Sequence, residues 1–231
     1  MINSFYTAAT GTINLQNGMD VTANNVANIS TVGYKASGST FSDLLYTNIV
    51  NGNEKLKSGH GTKLEKTDTL FEQGSMRQTG RALDYALTQP NTFFAVQTKN
   101  GVQYTRSGNF HMSMENGKGY LADSVGNHVL DASGKPIGLT SESDSPAVGV
   151  YAFTNMGGLT RAGNTCFQET AESGKAVVVK NPEIKTGFLE ESSVNNADEM
   201  VSMIQYQRAF QFNSKIVQIS DEIMQTVNSL R

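Results

Sequence analysis

The two ends of the chain lack the residues that interrupt helices, and this feature constrains the fold more than any other. Residues 1–31 contain no Pro and only two Gly, and residues 188–231 contain neither. All four Pro, and every Gly except Gly11, Gly18 and Gly33, lie within residues 36–187. Because Gly and Pro are the residues least compatible with a helix interior, we expect a long helix at each end of the chain.

The N-terminal segment also carries a heptad repeat. Two interleaved columns with seven-residue spacing can be read from it, namely Ile2, Ala9, Gln16 and Ala23, and Phe5, Thr12, Met19 and Val26. The spacings of three and four between the columns predict a helix with a seam for a partner helix. We expect this helix to end at Gly33, which enters the left-handed conformation easily.

The C-terminal segment has a wider apolar face. Its columns are Ala209, Ile216, Ile223 and Leu230, then Phe210, Val217 and Met224, then Phe212, Ile219 and Val227. Asn196 and Glu199 resemble a capping box at its start. One partner helix covers two positions in seven, so this face needs the N-terminal helix and at least one more surface, from this chain or another copy. The alternative is an ordinary helical core within one subunit.

The middle of the chain reads differently. Residues 36–70 are polar and predict an extended arm or linker, with a short helix or strand over Phe41–Ile49. From residue 71 onward the pattern is of short strands, with hairpin turns at Asn100-Gly101 and Asn116-Gly117. Further strands are predicted over 128–130, 147–154 and 176–179.

These observations predict an α+β fold. The N- and C-terminal helices pair as a coiled coil, and an antiparallel β-rich domain is inserted between them in the sequence. The predicted divisions are an N-terminal helix (1–35), an extended arm (36–70), a β-rich outer domain (71–187) and a C-terminal helix (188–231).

Composition excludes several classes of function. The net charge of −3 supplies no electrostatic footprint for nucleic acid. No apolar run reaches the length of a membrane span, and the first residues do not form a secretory signal peptide. The single cysteine, Cys166, reads as an inert thiol. His60, His111 and His128 lack metal-ligand spacing, and we expect no cofactor and no catalytic site.

Three stretches resemble the bacterial flagellar rod and hook axial proteins. Residues 19–35 carry the family's Ala-Asn-Asn, Ala-Asn and Thr-x-Gly-aromatic-Lys elements. Residues 74–110 look like its central segment, with Leu83-Asp84, Phe93-Phe94 and Tyr104-Thr105-Arg106-x-Gly108 as landmarks. Residues 194–231 resemble its C-terminal helix and are most like the distal-rod members.

The resemblance implies a structural, non-catalytic subunit that polymerises helically into the rod, the drive-shaft tube that transmits torque from motor to hook. The paired helices would form the inner layer, residues 36–70 would bridge subunits, and the β domain would face outward. The implied partners are copies of itself, proximal rod and hook proteins, and the flagellar type III export apparatus. The implied location is the flagellar basal body in the cell envelope, reached without a cleaved signal peptide.

Asn24, Asn25 and Asn28 are poor residues for a smooth helix, since their amides compete for backbone hydrogen bonds. Buried in an interface they would fix its register, whereas the alternative is that they fray and cap the helix. The predicted assembly interface comprises Asn24, Asn25, Asn28, Gly33, Tyr34, Met200, Ile204, Arg208, Phe210, Asn213, Ile216, Val217, Ile223 and Met224.

Two other functions stay open from the sequence. The chain could be a proximal-rod or hook-type axial paralogue. It could also be a helix-dimerised β domain that binds or hydrolyses cell-wall glycan, for which Asp84, Asp123, Asp131 and Asp144 supply carboxylates without a telling spacing.

Neither terminal helix has a complete partner surface before assembly, so we predict that both are largely disordered in the monomer and order on incorporation. Amide hydrogen exchange of the dilute monomer should show rapid exchange over residues 3–28. Strong protection there would contradict the prediction.

Overall fold

We describe the protein from a computed structural model, which places residues 2–51, 54–99, 101–115, 117–141 and 146–230. The chain divides into two compact units. The helical unit comprises Met1–Ala27, Ser37–Asp68 and Asn195–Arg231, and the β unit comprises Asn28–Ala36 and Thr69–Val194.

The helical unit is built on the two predicted helices, α1 (Ile2–Ala27) and α2 (Asn196–Ser229). Four strands accompany them: β1 (Ser37–Asp43), β2 (Tyr46–Asn51), β3 (Glu54–Gly59) and β4 (Thr62–Thr69). Strand β1 pairs with β4, and β2 pairs with β3 as an antiparallel hairpin. Residues 36–70, for which the sequence predicts an extended arm, therefore contain regular strands.

Helix α1 ends earlier than predicted. Its last residue is Ala27, and turns follow instead of further helix. The backbone N–H of Thr31 donates to the carbonyl of Asn28, and the Thr31 hydroxyl donates to the Asn28 side chain. Gly33 adopts the predicted left-handed conformation, with φ of 67°, but it lies six residues beyond the helix and does not cap it.

The start of α2 also differs from the prediction. The N-cap is Asn195, whose side chain accepts a hydrogen bond from the Ala197 N–H at 3.1 Å and donates to Asp198 at 2.7 Å. Asp198 and Glu199 lie in the first turn, where negative charge complements the helix dipole. Glu199 is not half of a capping box, because its carboxylate accepts a hydrogen bond from Asn25 instead.

The β unit contains many short strands. They are β5 (Met76–Gln78), β6 (Tyr85–Leu87), β7 (Thr92–Thr98), β8 (Gly101–Thr105), β9 (His111–Glu115), β10 (Lys118–Ala122), β11 (His128–Val129), β12 (Gly138–Leu139), β13 (Val150–Ala152), β14 (Thr160–Gly163), β15 (Cys166–Gln168), β16 (Val177–Val178), β17 (Ile184–Thr186) and β18 (Phe188–Glu190). A short 3₁₀ helix covers Met156–Gly158.

An antiparallel sheet forms the centre of the β unit, with strands in the order β12-β10-β11-β7-β8-β15-β14. Strand β13 pairs with β7 and β16, and β9 pairs with β10. Two smaller pairs, β17 with β6 and β18 with β5, complete the unit. The predicted β-rich domain is therefore present.

Strand β7 lies at the core because both of its faces are buried. Phe94 and Val96 pack into one hydrophobic cluster, whereas Phe93 and Ala95 pack into a second. This alternation follows from the period of two in a β-strand. The apolar run from Phe93 to Val96 thus reads as a strand covered on both sides.

Strand pairing confirms the two predicted hairpins, although Gly101, which was predicted in the first turn, is the first residue of β8. Strand β7 pairs with β8 up to Thr98 opposite Gly101, and β9 pairs with β10 from Glu115 opposite Lys118. The turn residues Asn100 and Asn116 lie outside the described residues. Strands β11, β13 and β16 fall within the three further predicted ranges.

Buried acids make the β unit sensitive to alkaline pH. Burial raises the pKa of the Cys166 thiol from 9.0 to about 11, and burial raises the pKa of Tyr104 from 10.0 to about 12. In both cases the folded state retains a proton that the unfolded chain has released. Stability is therefore complete below the unfolded pKa and is lost as pH rises towards the folded pKa.

We expect the free energy of unfolding of the β unit to fall by about 2 kcal/mol through Cys166 alone between pH 9 and 11, since one pKa unit is about 1.4 kcal/mol. Urea denaturation at several pH values would measure this. The variant Cys166→Ala should have a shallower decline over that range. Parallel curves for the variant and the wild type would contradict the assignment.

Candidate assembly interface

Helices α1 and α2 meet in the helical unit through small and polar residues. A Cβ atom built on Gly11 would lie 2.8 Å from Asn213 Nδ2, and one on Gly18 would lie 3.3 Å from the Tyr206 ring. Both glycines thus allow a close approach between the helices. Residue numbers rise along α1 as they fall along α2, so the two helices run antiparallel.

Asn25 completes this contact. It is buried, and its Nδ2 atom donates to Glu199 Oε1 at 2.7 Å and to the Ser37 carbonyl at 2.9 Å. Its Oδ1 atom accepts from the Ser37 N–H at 2.9 Å. The side chain therefore fixes the register of α1 against both α2 and β1.

The contacts repeat every seven residues on both helices. Residues 11, 18 and 25 of α1 meet residues 213, 206 and 199 of α2. The first predicted column does not form this contact, because its residues Gln16 and Ala23 are exposed, whereas the second predicted column is half-buried. The side chain of Ile2, in the first column, lies outside the described residues. Hydrophobicity alone did not identify a seam made of Gly, Asn and Tyr.

A second polar residue of α1, absent from the prediction, binds β4. Asn14 is buried, donates to the carbonyl of Thr62 at 2.8 Å and accepts from the N–H of Leu64 at 3.0 Å. An Asn at mid-helix is a weak sequence signal for such a contact. Asn14 and Asn25 together attach α1 to the strands beside it.

The predicted interface residues of the first segment lie in different settings. Asn24 is exposed, Asn25 is buried in the helical unit, and the side chain of Asn28 accepts a hydrogen bond from the Thr31 hydroxyl in the turn after α1. Gly33 and Tyr34 are buried within the β unit. For Asn25, Gly33 and Tyr34, the contacts are within one chain.

Gly33 packs closely against backbone. A Cβ atom at this position would lie 2.5 Å from the Ser107 nitrogen, so only glycine fits here, and its φ of 67° also favours glycine. Its N–H donates to the Glu190 carbonyl at 2.9 Å. Tyr34 next to it lies under the Arg161 guanidinium, 5.2 Å from the ring centroid.

A buried ion cluster joins the Thr-x-Gly-Tyr-Lys element to the rest of the β unit. Glu190 is fully buried and accepts from Lys35 Nζ at 2.6 Å and from Arg106 Nε at 2.8 Å. The Gly74 N–H donates to the same carboxylate at 3.1 Å. Arg106 also donates to the Thr92 carbonyl at 2.8 Å. Burial lowers the pKa of Lys35, although Glu190 opposes that shift.

Sequence reasoning missed this cluster. Lys35 and Arg106 belong to the motifs described above, but nothing in the sequence singled out Glu190 or connected the three residues. The signal available in the sequence was that these three charged residues lie within or beside apolar segments. Charged side chains are buried only when they are paired, so such residues are candidates for buried ion pairs.

The predicted face of α2 is open in the single chain. Ser220 is the buried residue of this helix. Met200, Ile204, Arg208, Ile216, Ile223 and Met224 are exposed, whereas Phe210, Asn213 and Val217 are half-buried. Phe212 and Ile219 are 66% and 54% exposed. Large apolar side chains thus face outward along the whole helix.

A groove of about 500 Å³ lies within the helical unit, where α1, β3 and α2 meet. Its lining includes two predicted interface residues and is made by Asn3, Ser4, Thr7, Ala8, Ser58, Gly59, Asn213 and Ile216. Small side chains from α1 and polar atoms from β3 leave room there for a side chain of another molecule.

Two of the carboxylates that the glycan-acting alternative would need accept hydrogen bonds from backbone N–H groups in turns. Asp123 accepts from the N–H groups of Val125 and Asn127, and Asp131 accepts from those of Ser133 and Lys135. Such bonds hold the loops between strands.

The third carboxylate, Asp84, is buried and accepts from the Thr79 hydroxyl at 2.6 Å. Asp144 lies outside the described residues. Over the described ranges, no group of His, Cys, Asp and Glu side chains is arranged to hold a metal ion.

Two family models match the ends of the chain. "Flagella basal body rod protein" matches residues 5–35, and "Flagellar basal body rod FlgEFG protein C-terminal" matches residues 185–230. The first range contains most of α1 and the Thr-x-Gly-Tyr-Lys element, and the second contains Glu190 and α2. The resemblance seen in the sequence is confirmed.

Flagellar basal-body rod proteins from several bacteria match the chain over all or nearly all of its length. It is 32% identical to the flagellar basal-body rod protein FlgG of Bacillus subtilis (strain 168), over 100% of both chains. It is 31% identical to FlgG of Borreliella burgdorferi, over 100% of this chain and 99% of the relative. It is 32% identical to the rod protein FlgF of Mesorhizobium japonicum, over 99% of each. In the described part of the chain, neither helix is apolar enough over sufficient length to cross a membrane.

The antiparallel seam can be tested by cross-linking, because the native Cys166 is buried and stays protonated at neutral pH. In cells, the pair Gly11→Cys and Asn213→Cys should form an intramolecular disulfide on mild oxidation, visible as a monomer of altered gel mobility. The control pair, Gly11→Cys with Phe212→Cys, should not. Disulfide-linked dimers from the first pair would show that α1 pairs with α2 of a neighbour and would contradict the seam.

Proposed function

Since this chain belongs to the flagellar basal-body rod protein family, we propose that it is a structural, non-catalytic subunit of the rod that assembles helically with copies of itself and with other axial proteins. The assembled tube transmits torque from the motor to the hook. Its place is the basal body, in the cell envelope.

The observation that carries this proposal is the composition of the helical unit. Among the described residues of the helical unit, Ala8 is the one buried hydrophobic side chain. All three hydrophobic clusters found among the described residues belong to the β unit. A unit of this size without an apolar core is not stable by itself. The ordinary helical core within one subunit is therefore a poor account of α2.

Neighbouring copies would supply the missing cover. Fully burying one Ile or Met side chain stabilises by about 1.5–3 kcal/mol, so the exposed row on α2 offers a large driving force for assembly. Ile204, Ile216, Ile223 and Met224 are central to the proposed interface, together with Asn24, Met200, Arg208, Phe210, Asn213 and Val217. The groove beside Asn213 and Ile216 would receive a side chain from the next subunit.

In the assembled tube we propose that α1 and α2 form an inner coiled-coil layer and that the β-rich domain faces outward. The seven-residue repeat of the contacts between α1 and α2 supports the first part. Residues 36–70 would bridge neighbouring subunits. Export would use the flagellar type III apparatus.

Within the family we propose the distal rod, rather than a proximal-rod or hook-type position. The support is the likeness of residues 194–231 to the distal-rod members and the full-length match to FlgG proteins. The glycan-acting alternative lacks support, since Asp84, Asp123 and Asp131 serve structural hydrogen bonds.

The proposed function can be tested by electron cryotomography of basal bodies in a strain that lacks this gene. We expect a rod that stops short, without a hook, and the point of truncation would separate distal from proximal positions. Complete rods in motile cells would contradict the proposal.

The proposed interface can be tested by a single charge on α2. Ile223→Asp buries an unpaired carboxylate in the assembled rod, so we expect motility to be lost in a strain that carries only this variant. The control Gln218→Asp places the same charge at an exposed polar position of the same helix and should leave motility near that of the wild type. Equal motility of both variants would exclude this face as an interface.

A further inference from the structure

The chain passes between its two units at four points, which are residues 27/28, 36/37, 68/69 and 194/195. On the β-unit side, the segments at these points are bonded to one another. The Leu70 N–H donates to the Ala36 carbonyl at 2.8 Å, and the Ser193 N–H donates to the Tyr34 carbonyl at 3.1 Å. The Ala36 N–H donates in turn to the Ser193 hydroxyl at 3.0 Å.

Lys35 lies at the centre of these bonds. Its ammonium group donates to the Glu190 carboxylate, four residues before the end of the β unit, and to the carbonyl of Glu72. From the other side, Arg161 donates to the carbonyls of Lys35 and Ala36 and to the Thr69 hydroxyl. One lysine thus ties the segment after α1 to the strand that precedes α2.

The charge count of the cluster shows that Lys35 is not needed to neutralise Glu190. One buried carboxylate faces two buried cations, Lys35 and Arg106. Arg106 alone, with the Gly74 N–H, would satisfy the carboxylate. Burying the second cation costs free energy, and burial accordingly lowers the pKa of Lys35. Loss of one partner of a buried ion pair is strongly destabilising when it leaves a buried charge without compensation. Removing Lys35 does not do so, because Glu190 keeps its ion pair with Arg106.

We propose that Lys35 is a positioning residue for assembly, which holds the chain leaving α1 beside the chain entering α2 at some expense to the stability of the β unit. The two helices are separated by more than 160 residues of sequence. Residues 34 and 193 are already joined by a hydrogen bond. Pairing of α1 with α2 therefore requires closure of only the short segments between these residues and the helices, instead of a loop of more than 160 residues. This role rests on the proposed rod function.

The test is Lys35→Met, which keeps the length of the side chain and leaves Arg106 paired with Glu190. Purified variant protein should unfold in urea at the wild-type denaturant concentration or above it. Amide exchange at Gly33 and Ser193 should accelerate, while that of β7 stays unchanged. In a strain carrying only the variant, hook-bearing basal bodies should fall at least about tenfold, which corresponds to about 1.4 kcal/mol of assembly free energy.

A second variant and two controls keep the outcomes distinct. Arg161→Met removes the hydrogen bonds from an exposed strand to the carbonyls of Lys35 and Ala36, but it leaves the three charged side chains of the ion cluster in place. It should therefore also reduce assembly while the β unit stays folded. Lys175→Met, at an exposed lysine of the same unit, should change nothing. The wild-type gene must restore rods in the deletion strain, and its failure would overturn the rod function itself.

Given that restoration, two results would overturn the role of Lys35. The first is wild-type assembly by Lys35→Met or by Arg161→Met. The second is a parallel loss of assembly and of β-unit stability in Lys35→Met, which would mean that Lys35 serves only the fold.

Discussion

The carboxylate of Glu190 holds together parts of the β unit that are far apart in the sequence. Lys35 reaches it from the motif after α1, Arg106 from the end of β8, and the Gly74 N–H from the loop before β5. The side chains of Glu190, Lys35 and Arg106 are all buried, so the hydrogen bonds between them are strengthened by the low dielectric constant of their surroundings. The Glu190 backbone also accepts from Gly33. Within the β unit, the segments that follow α1 and precede α2 in the sequence are therefore joined through this one residue.

The two units obtain their stability in different ways. The β unit has a conventional core, with β7 buried on both faces and aromatic side chains on each side. The helical unit has instead a seam of glycines and asparagine amides that fixes the register of α1 and α2, and an apolar face on α2 that stays uncovered. Such a division suits a subunit whose helices meet their final partners only at assembly. In the proposed assembly, specific polar contacts define the pairing of the helices, and burial of the apolar face would supply the free energy.

The α+β class and both helices could be predicted because the absence of Gly and Pro is a local property of the sequence. The hairpins around residues 100 and 116 followed from turn chemistry in the same way. The register of α1 could not be predicted from hydrophobicity, since Gly11, Gly18 and Asn25 are not hydrophobic. Over 37–69 the sequence predicted only a short helix or strand at Phe41–Ile49, where β1 and β2 lie, and β3 and β4 were missed because polar strands lack a clear alternation. The ion cluster was missed because its members are joined only by the tertiary fold.

A helical reconstruction of the isolated rod by electron cryomicroscopy tests the central claim most directly. The account predicts that α1 and α2 of one chain pair antiparallel, with residue 25 beside 199 and residue 11 beside 213, and that neighbouring copies cover the α2 face around Ile216 and Ile223. Rods in which that face is turned to solvent, or in which this chain is missing, would contradict it.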